Sequence, residues 1–183
     1  MTALAAVIGV PVSSVTDLVA SLAARQLTVA TAESLTGGLL AAVLTEIPGS
    51  SAVVRGGLIV YATDLKHHLA GVDADLLAAR GPVDPQVAAA LADGARRRCG
   101  ASIGIGVTGV AGPDPQDGVP VGTWFCAVLG PGDHRQDRCG TPTTAMTQSN
   151  RGTTGDAARR GQIRSAAVRG ALDMLANIAA THS

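Results

Sequence analysis

The sequence has very few aromatic residues: among 183 residues there is one Trp, one Tyr and one Phe. Hydrophobic residues nevertheless make up 46% of the chain, while charged residues make up only 15%. A core must therefore be built from Ala, Val, Leu and Ile. The length is enough for one ordinary domain and hardly enough for two, so the sequence predicts a single domain with an aliphatic core.

Net charge is also missing, because 14 Lys and Arg residues balance 14 Asp and Glu residues. Without a basic field, neither nucleic acid nor an anionic membrane is expected as a partner. No run reaches the ~18 apolar residues that a membrane span requires. The apolar residues 1–12 lack Lys and Arg and are interpreted as an N-terminal extension, with a signal segment as the less favoured alternative. A soluble, cytoplasmic protein is expected.

Cysteine is scarce and odd in number. Cys99, Cys126 and Cys139 show no CxxC spacing. This pattern is unlike a disulfide framework or a zinc site and indicates reduced thiols.

Strand and helix patterns alternate along the chain. Short apolar runs predict strands at 28–32, 101–109 and 121–130, the last two as a hairpin. The Val- and Ile-rich run 52–62 predicts either a pair of strands or one strand with a Gly kink. Helical spacing predicts a first helix, N-capped by Ser13 or Ser14, whose inward face is marked by Val15, Leu18, Val19 and Leu22. Further helices are predicted at 35–46, in two short segments that end at Gly71 and Gly81, and from Pro85 to Arg98. A last helix is predicted with these residues facing inward: Ile163, Ala167, Ala171, Leu175 and Ala179. This alternation favours an α/β fold, a single-domain three-layer sandwich with a mixed sheet flanked by helices. The domain is predicted to cover 13–183, with the polar, Gly- and Thr-rich segment 131–158 as a mobile loop.

A GxGxxG pattern is present at Gly104, Gly106 and Gly109. The dinucleotide-binding fingerprint places these glycines at a turn between a strand and a helix. Here the first two lie within the predicted strand, and a Pro-rich loop follows. The pattern therefore does not indicate a Rossmann site.

The segment TAESLTGGLL, residues 31–40, places Ser34 where a strand ends and a helix begins. An isolated serine in that position most often caps a free N–H of the helix. The same position also suits a nucleophile, because backbone N–H groups beside Gly37 and Gly38 can hold a developing negative charge. A serine nucleophile requires a neighbouring base.

The chain has one tyrosine, Tyr61, and one lysine, Lys66, against thirteen arginines. Both lie where the second strand passes into a helix. Arg stays charged at any working pH, whereas a partly buried Lys can lose its proton. Lys66 is therefore the best candidate base, with a solvated helix residue as the equally weighted alternative.

Three segments of the sequence, TAESLTGG, GGLIVYATDLK and GVTGVAGPD, resemble the signature segments of the CinA C-terminal domain family. That family contains the nicotinamide mononucleotide (NMN) deamidases, which are amidohydrolases. The resemblance implies that Ser34 attacks the carboxamide of NMN, that Lys66 is the base and that Tyr61 relays or orients the proton. The resemblance implies that the reaction needs no metal and no cofactor. It also implies that the protein forms a homodimer or a larger assembly.

The resemblance also implies a substrate-binding set and an opposing wall, made up of Glu33, Thr36, Gly37, Gly38, Thr108, Gly109, Ala111 and Gly112. The family's Gly-Asp-Arg segment before the last helix is replaced here by Ala158-Arg159-Arg160, although Arg160 and Arg164 remain to meet a phosphate. The loop PDPQDG after Gly112 replaces a glycine-rich PxGG. A catalytically inactive nucleotide-binding or regulatory module, or an enzyme for another amide, therefore stays open as an alternative.

Overall fold

The structure is a computed structural model that describes residues 3–141 and 153–181. Its helices are α1 (Leu4–Val7), α2 (Val12–Ala24), α3 (Leu39–Thr45), α4 (Thr63–His68), α5 (Ala74–Arg80), α6 (Pro85–Cys99) and α7 (Thr153–Thr181). Its strands are β1 (Val29–Glu33), β2 (Val54–Ile59), β3 (Ile103–Gly109), β4 (Trp124–Leu129) and β5 (Arg135–Gly140). Short 3₁₀ turns lie at Ser50–Ala52 and Pro131–Asp133.

The strands form one mixed five-stranded sheet in the order β2-β1-β3-β4-β5. Strand β1 is parallel to both β2 and β3, whereas β3-β4 and β4-β5 are antiparallel. The carboxyl ends of β1, β2 and β3 therefore meet at one edge of the sheet. In open α/β sheets, this edge is where ligands bind.

Helices cover both faces of the sheet, as the sequence predicts. Helix α6 packs on β1, β3 and β4, and its approach is close because Gly104 and Gly106 have no Cβ. A Cβ at these positions would collide with the backbone carbonyls of Ala92 and Ala88. The GxGxxG pattern is thus explained by helix–sheet packing, and its first two glycines lie inside β3 as predicted.

The core is aliphatic, as the composition predicts. The four apolar residues that mark the first helix are buried, and so are the five predicted inward residues of the last helix. One acidic and one basic side chain, Glu33 and Lys66, are also buried, each only 1% exposed. Of the helices described, none combines the length and apolar character that a bilayer crossing requires.

The predicted starts of two helices are wrong. Helix α2 begins at Val12 after Pro11, and neither predicted serine caps it, because both lie inside its first turn. Helix α3 begins at Leu39 instead of residue 35, because Gly37 and Gly38 adopt left-handed conformations that interrupt a helix.

The ends of the predicted loop 131–158 are also wrong. Pro131–Asp133 forms a 3₁₀ turn, β5 follows it, and α7 already begins at Thr153. Strand β5 reads RQDRCG and has no apolar alternation, because it is a largely exposed edge strand held by its pairing with β4. Residues 142–152 of the predicted loop lie outside the described residues. At the other end of the chain, Ala5 and Ile8 of the predicted extension are buried in the main core.

Candidate active site

A cleft of about 310 Å³ lies at the carboxyl ends of the three parallel strands. Six of the predicted site residues line it: Ser34, Tyr61, Gly109, Ala111, Gly112 and Arg160. Six further residues that the sequence analysis did not select also line it: Leu35, Ala62, Thr63, Val110, Asp114 and Gln116. The cleft therefore joins the ends of β1, β2 and β3 with the start of α7.

Ser34 and Lys66 are in direct contact. The Lys66 Nζ lies 3.1 Å from Ser34 Oγ and also donates to the carbonyl oxygen of Val60, at 2.9 Å. Ser34 itself is held by the first hydrogen bond after β1, from its N–H to the carbonyl of Val107, at 2.9 Å. Residues 32 positions apart in sequence are thus joined at one point on the sheet edge.

The environment of Lys66 favours loss of its proton. Burial lowers the pKa of the Lys66 amine from its ordinary 10.5 to about 8, and the nearby Asp64 carboxylate opposes this shift. The alternative interpretation of Lys66 as a solvated helix residue is wrong, because Lys66 is only 1% exposed. A neutral amine beside a serine hydroxyl can act as a general base.

Tyr61 lies beside this pair in a different arrangement from the predicted relay. Its backbone carbonyl accepts a hydrogen bond from Lys66 Nζ, at 3.4 Å, whereas its hydroxyl accepts one from Arg160 Nη2, at 2.7 Å. The tyrosine side chain is 57% exposed. Within residues 3–141 and 153–181, no hydrogen bond connects the Tyr61 hydroxyl to Ser34 or Lys66.

Glu33 lies beneath the turn that carries Ser34 and does not line the cleft. Its buried carboxylate accepts hydrogen bonds from the N–H groups of Gly38, Leu40 and Ala41, at 2.9, 3.1 and 2.9 Å, and from the Thr31 hydroxyl at 3.1 Å. The carboxylate therefore holds the start of α3 against the end of β1. Glu33 supports the site from below, and the N–H of Gly38 faces Glu33 instead of the cleft.

The turn between Ser34 and α3 contains a backbone N–H that has no acceptor among the described residues. Gly37 and Gly38 have φ angles of 59° and 92°, which explains the two glycines of the TGG sequence. In the described part of the chain, the N–H of Leu35 has no hydrogen-bond acceptor, and Leu35 lines the cleft next to Ser34. Thr36 is wholly buried and does not reach the cleft.

The remaining predicted residues divide into one that lines the cleft and two that do not. Arg160 bridges two walls, because it donates to the Gly112 carbonyl oxygen as well as to the Tyr61 hydroxyl. Arg164 instead donates to the carbonyl of Thr36, at 2.7 Å, and helps to fix the turn. The buried Thr108 hydroxyl donates to the Pro82 carbonyl, at 2.7 Å, away from the cleft.

The loop that follows Gly112 contains a tight hairpin. Gln116 and Val119 exchange two backbone hydrogen bonds, of 3.1 and 2.8 Å, across Asp117 and Gly118. Both central residues have positive φ, 50° and 79°, which is the type I′ turn that an Asp-Gly pair favours. That dipeptide is the sequence signal that could have identified this hairpin.

The three cysteines differ in their exposure to solvent. Cys99, Cys126 and Cys139 are free thiols, and burial raises the pKa of Cys126 far above its ordinary value. Among the residues that the structure describes, no three His, Cys, Asp or Glu side chains are grouped as a metal site would require.

The family profile of the CinA C-terminal domain matches residues 12–179. The chain belongs to this family. Among curated CinA-like proteins, one from Frankia casuarinae is 54% identical over 107 residues, which is 58% of this chain and 25% of that protein. Another, from Anaeromyxobacter sp. (strain Fw109-5), is 46% identical over 161 residues, or 86% of this chain and 35% of that protein.

Solved structures of CinA proteins share the fold. The competence/damage inducible protein CihA from Agrobacterium tumefaciens has a TM-score of 0.74 and 35% identity, covering 90% of this chain and 95% of that one. A CinA superfamily protein from Escherichia coli has a TM-score of 0.73 and 28% identity, covering 88% and 86%. These matches confirm the α/β fold. By contrast, the aligned part of the chain spans only about a quarter to a third of the curated CinA-like proteins above.

Proposed function

We propose that this protein is an amidohydrolase that converts NMN to nicotinic acid mononucleotide and ammonia, with Ser34 as nucleophile and Lys66 as base. The single observation that supports it most strongly is the 3.1 Å contact between Ser34 Oγ and the buried Lys66 Nζ. The choice of NMN as substrate rests on the family resemblance, and the choice of nucleophile and base rests on this contact.

The first half of the reaction acylates the serine. Neutral Lys66 takes the proton of Ser34 Oγ while that oxygen bonds to the carboxamide carbon, and negative charge develops on the carboxamide oxygen. The free N–H of Leu35 is the backbone donor nearest the nucleophile in sequence and supports this charge. Lys66 then gives its proton to the leaving nitrogen, the C–N bond breaks and ammonia departs.

The second half regenerates the enzyme. Lys66, neutral again, takes a proton from a water molecule whose oxygen bonds to the acyl carbon. The ester C–O bond then breaks, Ser34 Oγ recovers its proton from Lys66, and the carboxylic acid product leaves as its anion. Each full cycle consumes one water and one amide and releases one ammonia, one carboxylate and one proton.

The pKa of Lys66 suits it to this role near neutral pH. With a pKa of about 8, roughly one Lys66 in ten is neutral at pH 7, against roughly one in 3000 at the ordinary 10.5. An arginine in the same place would stay charged and could not accept a proton. This difference explains why a chain with thirteen arginines has its one lysine here.

Arg160 is the cleft's candidate for the substrate phosphate. Its guanidinium has five N–H donors, and its bonds to Gly112 and Tyr61 leave others available for an anion. Tyr61 is then proposed to orient Arg160 instead of relaying a proton. The cleft volume of about 310 Å³ lies at the lower end of the range for small-molecule sites. Self-association of the chain stays a prediction.

A serine-directed acylating probe tests the proposed nucleophile. We expect mass spectrometry to locate one acyl group on Ser34, and we expect NMN to slow the labelling. The matched control is Ser50→Ala, because Ser50 is another largely buried serine and its hydroxyl bonds only the carbonyl of Thr45 among the described residues. Labelling that persists in Ser34→Ala, or that NMN does not affect, would contradict the proposal. Binding of NMN without ammonia release would favour the inactive nucleotide-binding module.

A further inference from the structure

Two polar side chains of the hairpin loop, Asp114 and Gln116, line the same cleft as Ser34. They are two residues apart, and the type I′ turn at Asp117 and Gly118 fixes the backbone directly after them. Both residues are exposed to solvent, and Gln116 is the residue at which the turn begins.

The Asp114 carboxylate is available to a ligand. Throughout the described ranges it has neither an ion pair nor a side-chain hydrogen bond, although Arg160 lines the same cleft. The guanidinium of Arg160 is directed to Tyr61 and Gly112 instead. A carboxylate acceptor thus lies at the cleft together with the neutral amide of Gln116.

This combination favours hydroxyl groups over anionic groups. A carboxylate repels phosphate, which places the phosphate of a nucleotide toward Arg160. Two neighbouring hydroxyls can donate to Asp114 and also exchange hydrogen bonds with Gln116. Carboxylates recognise ribose hydroxyls in this way in dinucleotide-binding folds.

We infer that Asp114, assisted by Gln116, binds the vicinal hydroxyls of the substrate's ribose and so selects amides that carry a pentose. This inference rests on the proposed function for the identity of the substrate. Asp114 is then a specificity residue, and it takes no part in proton transfer.

Calorimetric binding of NMN and of its 2′,3′-dideoxy analogue tests the inference. The titrations use the Ser34→Ala background, in which turnover is blocked, with and without Asp114→Ala. We expect Asp114→Ala to weaken NMN binding about 10- to 100-fold, as loss of a charged hydrogen bond predicts. The dideoxy analogue should bind weakly and equally to both proteins.

Asp117→Asn is the matched control, because it removes one negative charge from the same hairpin, suits the positive φ of the turn and lies outside the cleft. It should change neither dissociation constant more than about twofold. The inference would be overturned if Asp114→Ala weakened the binding of both ligands equally or did not weaken the binding of NMN. It would also be overturned if NMN did not bind at all. Ammonia release by the unmodified protein is measured separately, so that failure of the deamidase proposal is distinguished from failure of this one.

Discussion

Replacing Glu33 by Gln should destabilise the protein strongly although the two side chains have nearly the same shape. The buried carboxylate accepts four hydrogen bonds, two on each oxygen: Gly38 and Leu40 on one, Ala41 and Thr31 on the other. An amide has only one accepting oxygen, so its NH₂ group must face donors in either orientation.

The less costly orientation of the amide sets the expected size of the effect. With its NH₂ group toward Ala41 and Thr31, the threonine hydroxyl can rotate to accept, but the Ala41 N–H keeps no acceptor. An unpaired buried donor costs about 1–3 kcal/mol, and the two bonds to the other oxygen lose about 1 kcal/mol each with the negative charge. Because a neutral amide is also cheaper to bury, we expect a net loss of about 2–4 kcal/mol in the free energy of unfolding.

Urea unfolding of the wild type and of Glu33→Gln measures this loss of free energy. In thermal unfolding, the same loss should lower Tm by about 5–15 °C for a domain of this size. The control is Glu46→Gln at the exposed end of the same helix, where the carboxylate accepts one N–H, that of Leu4, at 2.8 Å. It should cost less than about 1 kcal/mol. Equal losses in the two variants would refute the view that Glu33 holds the start of α3 through a buried network.

Three further predictions concern Lys66 and the packing of β3. Because only neutral Lys66 can accept a proton, kcat/KM should rise about tenfold per pH unit and level off above a pKa of about 8; a profile that is flat between pH 6 and 9 would contradict the assigned base. Because the pKa of Lys66 is about 8 in the folded protein and 10.5 in the unfolded chain, the unfolded chain binds more protons between these two pH values. The stability of the wild type relative to Lys66→Met should therefore rise with pH in that window, by at most about 3 kcal/mol. A fall in relative stability would contradict the burial of the amine. Gly106→Ala should cost about 1–3 kcal/mol or more in urea unfolding, because its Cβ meets the Ala88 carbonyl, whereas Gly161→Ala on α7, with open space around it, should be neutral or slightly stabilising.

The sheet and most helices could be predicted because their sequences have a strong period. The buried positions of α2 and α7 follow helical spacing, and β3 reads IGIGVTG, an almost wholly apolar run. Strand β5 could not be predicted in this way, because its residues are mainly exposed and its strand geometry comes from hydrogen bonds to β4. Edge strands of this kind depend on a partner that lies elsewhere in the sequence.

The importance of Ser34 and Lys66, which are in contact, could be predicted, but the directions of the side chains around them could not. Ser34 and Lys66 were identifiable from their positions at strand ends and from the scarcity of lysine. The direction of a side chain, however, depends on packing: Glu33 points to α3, Arg164 points to Thr36, and the Tyr61 hydroxyl bonds Arg160. Each of these contacts joins segments whose relative positions only the folded chain defines.

Ammonia release from NMN is the most direct test of the central claim. It should be measured with the purified wild type, with Ser34→Ala and with Lys66→Met, each in the presence of a chelator. We expect chelator-resistant turnover that falls by about a thousandfold or more in both variants, equivalent to about 4 kcal/mol of barrier. Wild-type protein that releases no ammonia from NMN, or variants that keep wild-type turnover, would contradict it.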